Sequence, residues 1–587
     1  MLADLSRRVA AGAAALALVL ALVPAQPAAA AHGVISGTVT DAVSGAVLEG
    51  VCVTLGPPIR CWTHTNASGF YQIVLEGAND GGKWELYFLK TGYLQAHSGI
   101  FVVNGPYTHN QAMTPTGAPT GCAPGSTATP VSTNFLPNIT KTLGGASGFQ
   151  TPFITQNTGT LGTTLEISWF KFSDGTCVKR INVPGLAPGT SFAHIPNNDA
   201  DLPGDSQFSV VIKSFNSTIV SVVNQHQGSG SRAEAASYVG FSTGATTVSL
   251  PNIVRRFFGY VSPFIMQNLG ANTTTAVATF RPFDGGPAVT ASRSITAGRS
   301  QFIDPNSEPG LVDGKQYAVT VSASEPLGVV VNTHNDAPTV AAPVFYSANG
   351  VSGGSGTIYG PYAAKNANNS GRTGTVATIV VQNVGGAAVT PTLRFTPLAM
   401  NTTQTFSGPS VAPGSAWAFD PRFENGVAGA ALCGGAATAS CLGDGEYAFV
   451  ATATGSIAAA VNVISPATAM GYAASAAPSA KVHLPNVTRT LGGAAGWSTP
   501  ILLQGVTATG ATLKWFRFSD GSLTTTQTVG GIASTAVRID PRDVGGLSED
   551  TQYAVVIEGS GGTVNAIVIE LADGGDNAMI YEGFPAP

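Results

Sequence analysis

Residues 169–175 read WFKFSDG, and residues 515–521 repeat this pattern as WFRFSDG. Phe170 and Phe172 alternate with Trp169, Lys171 and Ser173, which is the period of a β-strand with one aromatic face. The Asp-Gly pair that follows favours a tight hairpin turn, because both central residues of such a turn can take positive φ. A related stretch at residues 280–285 reads FRPFDG. The stretch therefore predicts a strand and a hairpin that recur along the chain.

Two shorter motifs recur with a similar spacing of roughly 110–125 residues. Leu-Pro-Asn begins at residues 136, 250 and 484, with YGPY at 359–362 as a weaker copy. Gln-Asn begins at residues 156, 267 and 382, with Gln-Gly at 504. Units of this length can each bury a core of their own, unlike the shorter repeats of solenoids. We therefore expect about four similar β-units from residue 130 onward.

Each unit also has a leucine five or six residues before an aromatic residue that starts an alternating strand. This arrangement resembles the tyrosine corner of immunoglobulin-like sandwiches. The units likewise resemble the Ig-like repeats of large secreted bacterial proteins, a resemblance that implies a β-sandwich fold and no particular activity. The pairs are Leu202/Phe208, Leu311/Tyr317, Leu442/Tyr447 and Leu547/Tyr553.

The composition of the 587 residues is 44% hydrophobic and only 10% charged, whereas a typical soluble protein has ~25% charged residues. Few charges and 72 glycines suit β-sheets with many turns better than helix bundles, which need Lys and Glu on their exposed faces. The formal net charge is −5 and no basic cluster is present. Nucleic acid is therefore excluded as a partner, because phosphate binding needs clustered Lys and Arg.

The N-terminus has the features of a secretory signal peptide over residues 1–31. Arg7 and Arg8 precede an apolar stretch at 9–23, and three alanines at 29–31 allow cleavage before His32. The alternative is a membrane anchor, but the stretch is shorter than the ~20 residues that a spanning helix needs. We predict a secreted or cell-surface protein with no membrane span after signal removal, exported by either the Sec or the twin-arginine route.

Six cysteines agree with an oxidising, extracellular location. Two pairs are close in sequence and are predicted to form local disulfides, and the remaining two cysteines form a third candidate pair. None has the C-x-x-C spacing of a zinc site, so no metal and no cofactor is predicted. The candidate pairs are Cys52–Cys61, Cys433–Cys441 and Cys122–Cys177.

The first module, residues 32–116, has short alternating strands between turns rich in Gly, Asp and Asn. Its motifs are I-x-G-x-V-x-D at 35–41, G-x-x-L-x-G-V-x-V at 45–53, T-x-A-x-G-x-Y-x-I at 65–73 and K-x-G-Y at 90–93. They resemble the carboxypeptidase regulatory-like (transthyretin-like) domain family. The resemblance implies a seven-stranded prealbumin-like sandwich. It brings no peptidase activity, because the His and Glu ligands of zinc peptidases are not apparent.

The predicted fold class is all-β, with tandem β-sandwich modules: one prealbumin-like and about four Ig-like. Residues 117–129, rich in Pro, Gly, Ser and Thr, are predicted to be a linker. Short connections such as residues 475–479 favour a semi-rigid rod over independent beads. The four repeats are predicted at residues 130–245, 246–350, 351–475 and 476–587.

Three groups of residues are candidates for binding. Residues 224–226 (NQH) and 332–334 (NTH) occupy equivalent places in two repeats, where a polar binding loop, a metal site between modules or a strand-end loop with an ordinary surface histidine would fit. The Asp residues of the Asp-Gly and Asp-Pro pairs fit turns better than calcium sites, which need several carboxylates close together. Trp62 and Trp84 are the candidates for carbohydrate contact, although aromatic residues on sandwich strands more often belong to the core.

Catalytic patterns such as HExxH, GxSxG and the P-loop do not occur. Four small sandwiches also offer no large cleft for the paired carboxylates of a glycosidase. We therefore predict a non-enzymatic structural spacer or adhesin, whose partner is an unidentified extracellular protein or polysaccharide. The alternative is a carbohydrate-binding protein that uses the first module or the loops at the ends of the repeats.

Overall fold

The computed structural model describes residues 33–41, 46–55, 61–75, 83–91, 93, 96–102, 106–113, 122, 125–145, 147–335, 343–398 and 402–586. The predicted signal peptide and much of the predicted linker lie outside these ranges. Across the described residues, strands dominate and the helices are single 3-10 turns of three residues, which confirms the all-β prediction. No helix in this part of the chain is long and apolar enough to cross a membrane.

The first module consists of two four-stranded sheets that face each other across an apolar core. One sheet has the order β4-β1-β7, with β8 also pairing β1, and the other has the order β3-β2-β5-β6. Along β1 every second residue is buried, as expected of a strand with one face on the core. The strands are β1 (Gly33–Asp41), β2 (Cys52–Leu55), β3 (Thr63–His64), β4 (Phe70–Leu75), β5 (Lys83–Leu89), β6 (Ala96–Val102), β7 (Pro106–Thr108) and β8 (Gln111–Met113).

The four repeats share one topology, in which eight strand positions, A to H, form the sheets D-C-F-A and E-B-G-H. We call the predicted units repeats 1 to 4 below. In repeats 2 and 3, strands F and G are the two halves of one long strand, β23 or β32, which takes part in both sheets. The several sandwich-like modules that the sequence predicts are therefore present.

The strands of repeats 1 and 2 have the following bounds. Repeat 1 contains β9 (Ser132–Lys141), β10 (Phe153–Asn157), β11 (Thr163–Lys171), β12 (Cys177–Leu186), β13 (Ser191–His194), β14 (Ser206–Ser214), β15 (Ile219–Gln227) and β16 (Glu234–Val239) as strands A to H. Repeat 2 contains β17 (Ala245–Arg255), β18 (Tyr260–Val261), β19 (Phe264–Asn268), β20 (Thr274–Pro282), β21 (Val289–Ile295), β22 (Ser300–Ile303), β23 (Lys315–Asn335) and β24 (Val344–Asn349), where β18 is an addition to the common set.

Repeats 3 and 4 follow the same order with short additions. Repeat 3 contains β25 (Val351–Ser352), which pairs with β17, then β26 (Ser355–Lys365), β27 (Ala367–Asn369), β28 (Arg372–Asn383), β29 (Thr392–Pro397), β30 (Gln404–Ser407), β31 (Ala416–Phe419), β32 (Gly445–Ile464) and β33 (Ala469–Ala473). Repeat 4 contains β34 (Lys481–Arg489), β35 (Ile501–Gly505), β36 (Gly510–Arg517), β37 (Leu523–Gly530), β38 (Ala536–Ile539), β39 (Thr551–Ser560), β40 (Val564–Leu571), β41 (Ala578–Glu582) and β42 (Phe584–Pro585).

The predicted tyrosine corner is present in three of the repeats. The Tyr317 hydroxyl accepts a hydrogen bond from the Val312 N–H (2.8 Å), and the Tyr553 hydroxyl accepts one from the Ser548 N–H (2.7 Å). The Tyr447 hydroxyl donates to the Gly443 carbonyl (2.8 Å). In each case the partner directly follows the predicted leucine, so the Leu–Tyr spacing ties strand F to the preceding loop.

The predicted Asp turns also form. Asp174 and Asp520 accept hydrogen bonds from backbone N–H groups two residues later, at 2.7 and 2.9 Å. The Asp-Pro residues Asp304, Asp420 and Asp540 do the same, at 2.9 to 3.0 Å. Aspartate side chains that bond in this way stabilise turns.

The four repeats form a closed ring. Strand A of each repeat packs against strands B and G of the next, and strand A of repeat 4 packs against strands B and G of repeat 1. The H strands β16, β24, β33 and β41 also contact one another in a cycle. The expectation of a semi-rigid rod is therefore wrong. Short connections are equally compatible with a turn at every junction. Apolar residues on the outer faces of the E-B-G-H sheets favour mutual burial, as Leu502 and Ile567 of repeat 4 do by joining the core cluster of repeat 3.

Candidate functional site

The Leu-Pro-Asn motif builds a bulge in strand A. In every repeat the register between strands A and F shifts at this point, where proline is tolerated because it has no N–H to contribute. The Asn138 N–H donates to the Tyr238 hydroxyl of strand H (3.1 Å), which donates in turn to the Asn138 carbonyl (2.8 Å). Asn486 and Tyr581 repeat the pair in repeat 4. The motif is therefore part of the scaffold.

The Gln-Asn motif ends strand B and holds two different parts of the ring. The asparagine fixes its own repeat: the Asn268 amide donates to the Ile295 carbonyl at 2.9 Å. The glutamine reaches strand F of the preceding repeat. The glutamine contacts are Gln267 Nε2 to the Val210 carbonyl (3.4 Å), Gln382 Nε2 to the Val319 carbonyl (3.3 Å) and Gln504 Nε2 to the Phe449 carbonyl (3.2 Å).

Buried carboxylates of repeat 4 close the ring. Asp576 is fully buried, and its side chain accepts the N–H groups of Phe345 in repeat 2 (2.6 Å) and Ala469 in repeat 3 (2.9 Å). Its own N–H donates to the Ala233 carbonyl in repeat 1 (2.7 Å). One residue therefore bonds to all three other repeats. Burial raises the pKa of the Asp576 carboxyl well above its usual range.

Glu570 makes the second closing contact. Its carboxyl accepts hydrogen bonds from the amides of Asn224 in repeat 1 (2.9 Å) and Asn486 in its own repeat (3.1 Å). Burial raises the pKa of this carboxyl from 4.5 to about 8. Repeat 1 has Gln225 at the equivalent position, where it accepts from Asn138 at 2.7 Å. Repeat 4 thus has a titratable group where repeat 1 has a neutral amide.

The two polar triplets predicted as candidate loops lie within strand G, at the ring junctions. Asn332 accepts hydrogen bonds from the side chains of Gln225 (3.3 Å) and Ser347 (2.6 Å). His334 is 3% exposed, and the His226 ring packs edge-on against Trp497 of repeat 4, with 5.4 Å between centroids. The interpretation as strand-end surface residues is wrong, because closure of the ring covers these strands.

The first module places its two predicted tryptophans differently. Trp62 is 56% exposed, whereas Trp84 packs against the core of the module. Trp62 is therefore the ring available for a ligand, and carbohydrate contact by Trp62 and Trp84 remains a prediction. Among the described residues, one group has metal-ligand spacing, Cys52, Cys61 and His64, and its two sulfurs are joined in a disulfide.

The three disulfides form between the predicted partners. Cys52–Cys61 lies in the first module, and Cys433–Cys441 lies within the loop between strands β31 and β32 of repeat 3. Cys122–Cys177 ties the segment after the first module to strand D of repeat 1. The first module also contacts repeat 1 directly, because Asp205 accepts from the Tyr107 hydroxyl (3.4 Å) and pairs with His109.

An open groove of about 650 Å³ lies at the junction of repeats 3 and 4. Its polar lining comes from the loop between strands A and B and the start of strand F in repeat 3, and from strand E in repeat 4. Its volume falls in the range of small-molecule sites. No sequence pattern signalled it, because its lining comes from four separate segments of the chain in two repeats. The lining residues are Asn366, Ala367, Asn368, Leu398, Asp444, Gly445, Glu446, Val537 and Arg538.

Comparisons with known proteins leave the family of the chain undefined. No family model and no curated protein matches it. Among solved structures, the major pilin subunit BcpA of Bacillus cereus covers 55% of this chain and 95% of its own length, at 11% identity and a TM-score of 0.12. The RrgB pilus protein of Streptococcus pneumoniae covers 76% of this chain and 94% of its own length, at 8% identity and a TM-score of 0.10. Likenesses at this level carry no argument about fold or function.

Proposed function

We propose that the chain is a non-enzymatic protein of the cell surface or extracellular space, in which the ring is a rigid platform for adhesion. The observation that carries this proposal is that the side chains that recur in the repeats hold the scaffold together. The Pro-Asn, Gln-Asn, Leu–Tyr and Asp-turn motifs all bond to the backbone of the ring. Residues that recur in the repeats thus serve the scaffold, which leaves binding to surface residues that differ between repeats.

Three disulfides and a sequence-predicted signal peptide support an extracellular location. Closure of the ring favours an adhesin over a spacer. A spacer gains length with each repeat, whereas in this chain the fourth repeat returns to the first. The partner is an extracellular protein or a polysaccharide, and the low charge of the chain suits either.

Carbohydrate binding by the first module is the second candidate, because Trp62 exposes an aromatic ring beside the Cys52–Cys61 disulfide. Tryptophan combines a large apolar ring with a polar N–H, which suits contact with a partner at a surface.

Parallel binding screens of the purified chain test both candidates, one against a glycan array and one against immobilised extracellular proteins. Trp62→Ala removes the exposed ring, and Leu432→Ala, at a leucine that is 75% exposed on repeat 3, is the matched control. Glycan binding lost only in Trp62→Ala supports the first module as the site. Binding to neither class of partner, or turnover of a bound polymer, contradicts the adhesion proposal.

A further inference from the structure

The four repeats can be compared position by position, because they share one strand register. Three repeats have a glutamine at the second position of strand F, and its amide donates to the asparagine of the Pro-Asn bulge. Repeat 3 departs at both positions, with Glu446 for the glutamine and Tyr362 for the asparagine. The three glutamine contacts are Gln207 to Asn138 (2.7 Å), Gln316 to Asn252 (3.2 Å) and Gln552 to Asn486 (2.7 Å).

A third residue that differs from the repeat pattern lies opposite Glu446 and Tyr362, across the junction of repeats 3 and 4. Strand E of repeat 4 has Arg538 where the registers of repeats 1, 2 and 3 have Ala193, Phe302 and Ala418. Arg538 Nη2 donates to Glu446 Oε1 at 2.6 Å, and the Tyr362 hydroxyl donates to the same oxygen at 2.9 Å. Three departures from the repeat pattern therefore meet at one carboxylate.

The same junction has the open groove described above. Its loop adds the carboxamides of Asn366 and Asn368, which are both exposed. Asn366 takes a positive φ of 46°, and Thr142, Arg256 and Thr490 at the equivalent position take φ of 46° to 50°, so the backbone is common to the repeats and the carboxamide is particular to this one. Arg538 pairs with Glu446, and Asp444 lies 3.3 Å from the Nζ of the buried Lys365 beside the groove, so each carboxylate of the lining has a cation next to it.

Glu446 and Arg538 could be explained as an ion pair with a purely structural role if both residues were buried in the junction. Both residues instead line an open groove. The exposed carboxamides of Asn366 and Asn368 lie beside the carboxylates of Asp444 and Glu446 in the lining of this groove. Donors and acceptors that alternate in this way suit a ligand with several hydroxyl groups.

We propose that this groove binds a neutral saccharide. Hydroxyl groups both donate and accept hydrogen bonds, so a sugar can accept from the Arg538 guanidinium and the asparagine amides while it donates to the carboxylates. The small apolar patch of Leu398 and Val537 can take the C–H face of a sugar ring. The inference rests on the proposed role in adhesion, and it names a ligand class and a site on the ring, away from Trp62.

The test compares variants of the full chain on a glycan array, followed by calorimetric titration with the best neutral oligosaccharide. Glu446→Gln combined with Arg538→Met removes the pair together, so that no unpaired charge is left buried. Asn366→Gly removes one groove carboxamide at a position where positive φ favours glycine. The matched control is Lys514→Met with Glu558→Gln, a half-exposed ion pair of 2.8 Å elsewhere on repeat 4.

We expect the double groove variant to lose about tenfold or more in affinity, because hydrogen bonds to charged groups are the strong ones. We expect a smaller loss in Asn366→Gly and none in the control, with unchanged melting temperatures in Asn366→Gly and the control. Unchanged binding in both groove variants overturns the proposal, as does the absence of any neutral glycan that binds. Binding lost only in Trp62→Ala also overturns it, while leaving the adhesion proposal intact.

Discussion

Replacing Asp576 with alanine tests whether this side chain holds the ring closed. The carboxyl is fully buried and accepts the N–H groups of Phe345 and Ala469, in two different repeats. Alanine leaves both N–H groups without an acceptor, in a region that closure of the ring keeps from water. Alanine itself is acceptable there, because repeat 1 has Ala233 at the equivalent position of the chain.

The magnitude follows from the two lost acceptors. Each buried N–H without a partner costs about 1–3 kcal/mol, which gives about 2–6 kcal/mol for the pair. The substitution also removes a buried carboxyl, and the desolvation cost of that group is recovered. We therefore expect a loss in the lower part of this range, about 2–4 kcal/mol.

Hydrogen exchange measured by mass spectrometry is the direct assay, because it reports the amides of Phe345 and Ala469 themselves. Faster exchange of strands β24 and β33, together with a lower urea midpoint, is the expected result. Asp573→Ala is the control, since Asp573 lies exposed in the same turn and should change stability by less than about 0.5 kcal/mol. Unchanged exchange in both strands of Asp576→Ala would refute the reasoning.

Three further changes probe the ring. Because burial raises the pKa of Glu570 to about 8, the contribution of this group to stability should be complete below pH 4.5 and fall by up to about 1.4 kcal/mol per pH unit toward pH 8. Glu570→Gln should make this fall shallower in pH-dependent urea titrations, and the remaining slope comes from groups such as Asp576 and Glu582, whose pKa values burial also raises. Gly575→Ala places a Cβ within 2.6 to 2.8 Å of the backbone of repeat 1, so this variant should open its ring more often and be cleaved faster in limited proteolysis. Gly574→Ala, which shares the positive φ without this clash, should be cleaved more slowly than Gly575→Ala. Tyr553→Phe removes the hydroxyl of a tyrosine corner and should cost about 1 kcal/mol in urea unfolding; no loss would mean that the ring packing suffices, as it does for Phe208 in repeat 1.

Features that depend on near neighbours could be predicted from the sequence. The Asp turns, the Leu–Tyr corners and the disulfides each join residues within a single module or its flanking segment. Turn chemistry, strand period and cysteine spacing report such contacts directly. The all-β fold follows from the same patterns, repeated along the chain.

Closure of the ring could not be predicted in the same way. It depends on contacts such as Asn224 with Glu570, which are 346 positions apart. One signal was present in the sequence: strand B reads FIMQN at 264–268 and ILLQG at 501–505, with three successive apolar residues at its start, and it is buried at all five positions. A strand with one exposed face alternates, so a continuous apolar run indicates burial on both faces. It does not say which surface covers the second face.

Closure also changes how differences between the repeats should be interpreted. In a linear array, each internal repeat contacts one neighbour on each side. A residue at a junction that differs from the common pattern then affects that junction alone. In a ring, every junction is part of one closed set of contacts, so a charged pair introduced at one of them must be compatible with the other three. Glu446 and Arg538 appear together at a single junction, with Tyr362 bonded to the same carboxylate. Three matched departures at a junction with an open groove are therefore better explained by a ligand at that junction than by the needs of the scaffold, which the glutamine meets in the other repeats.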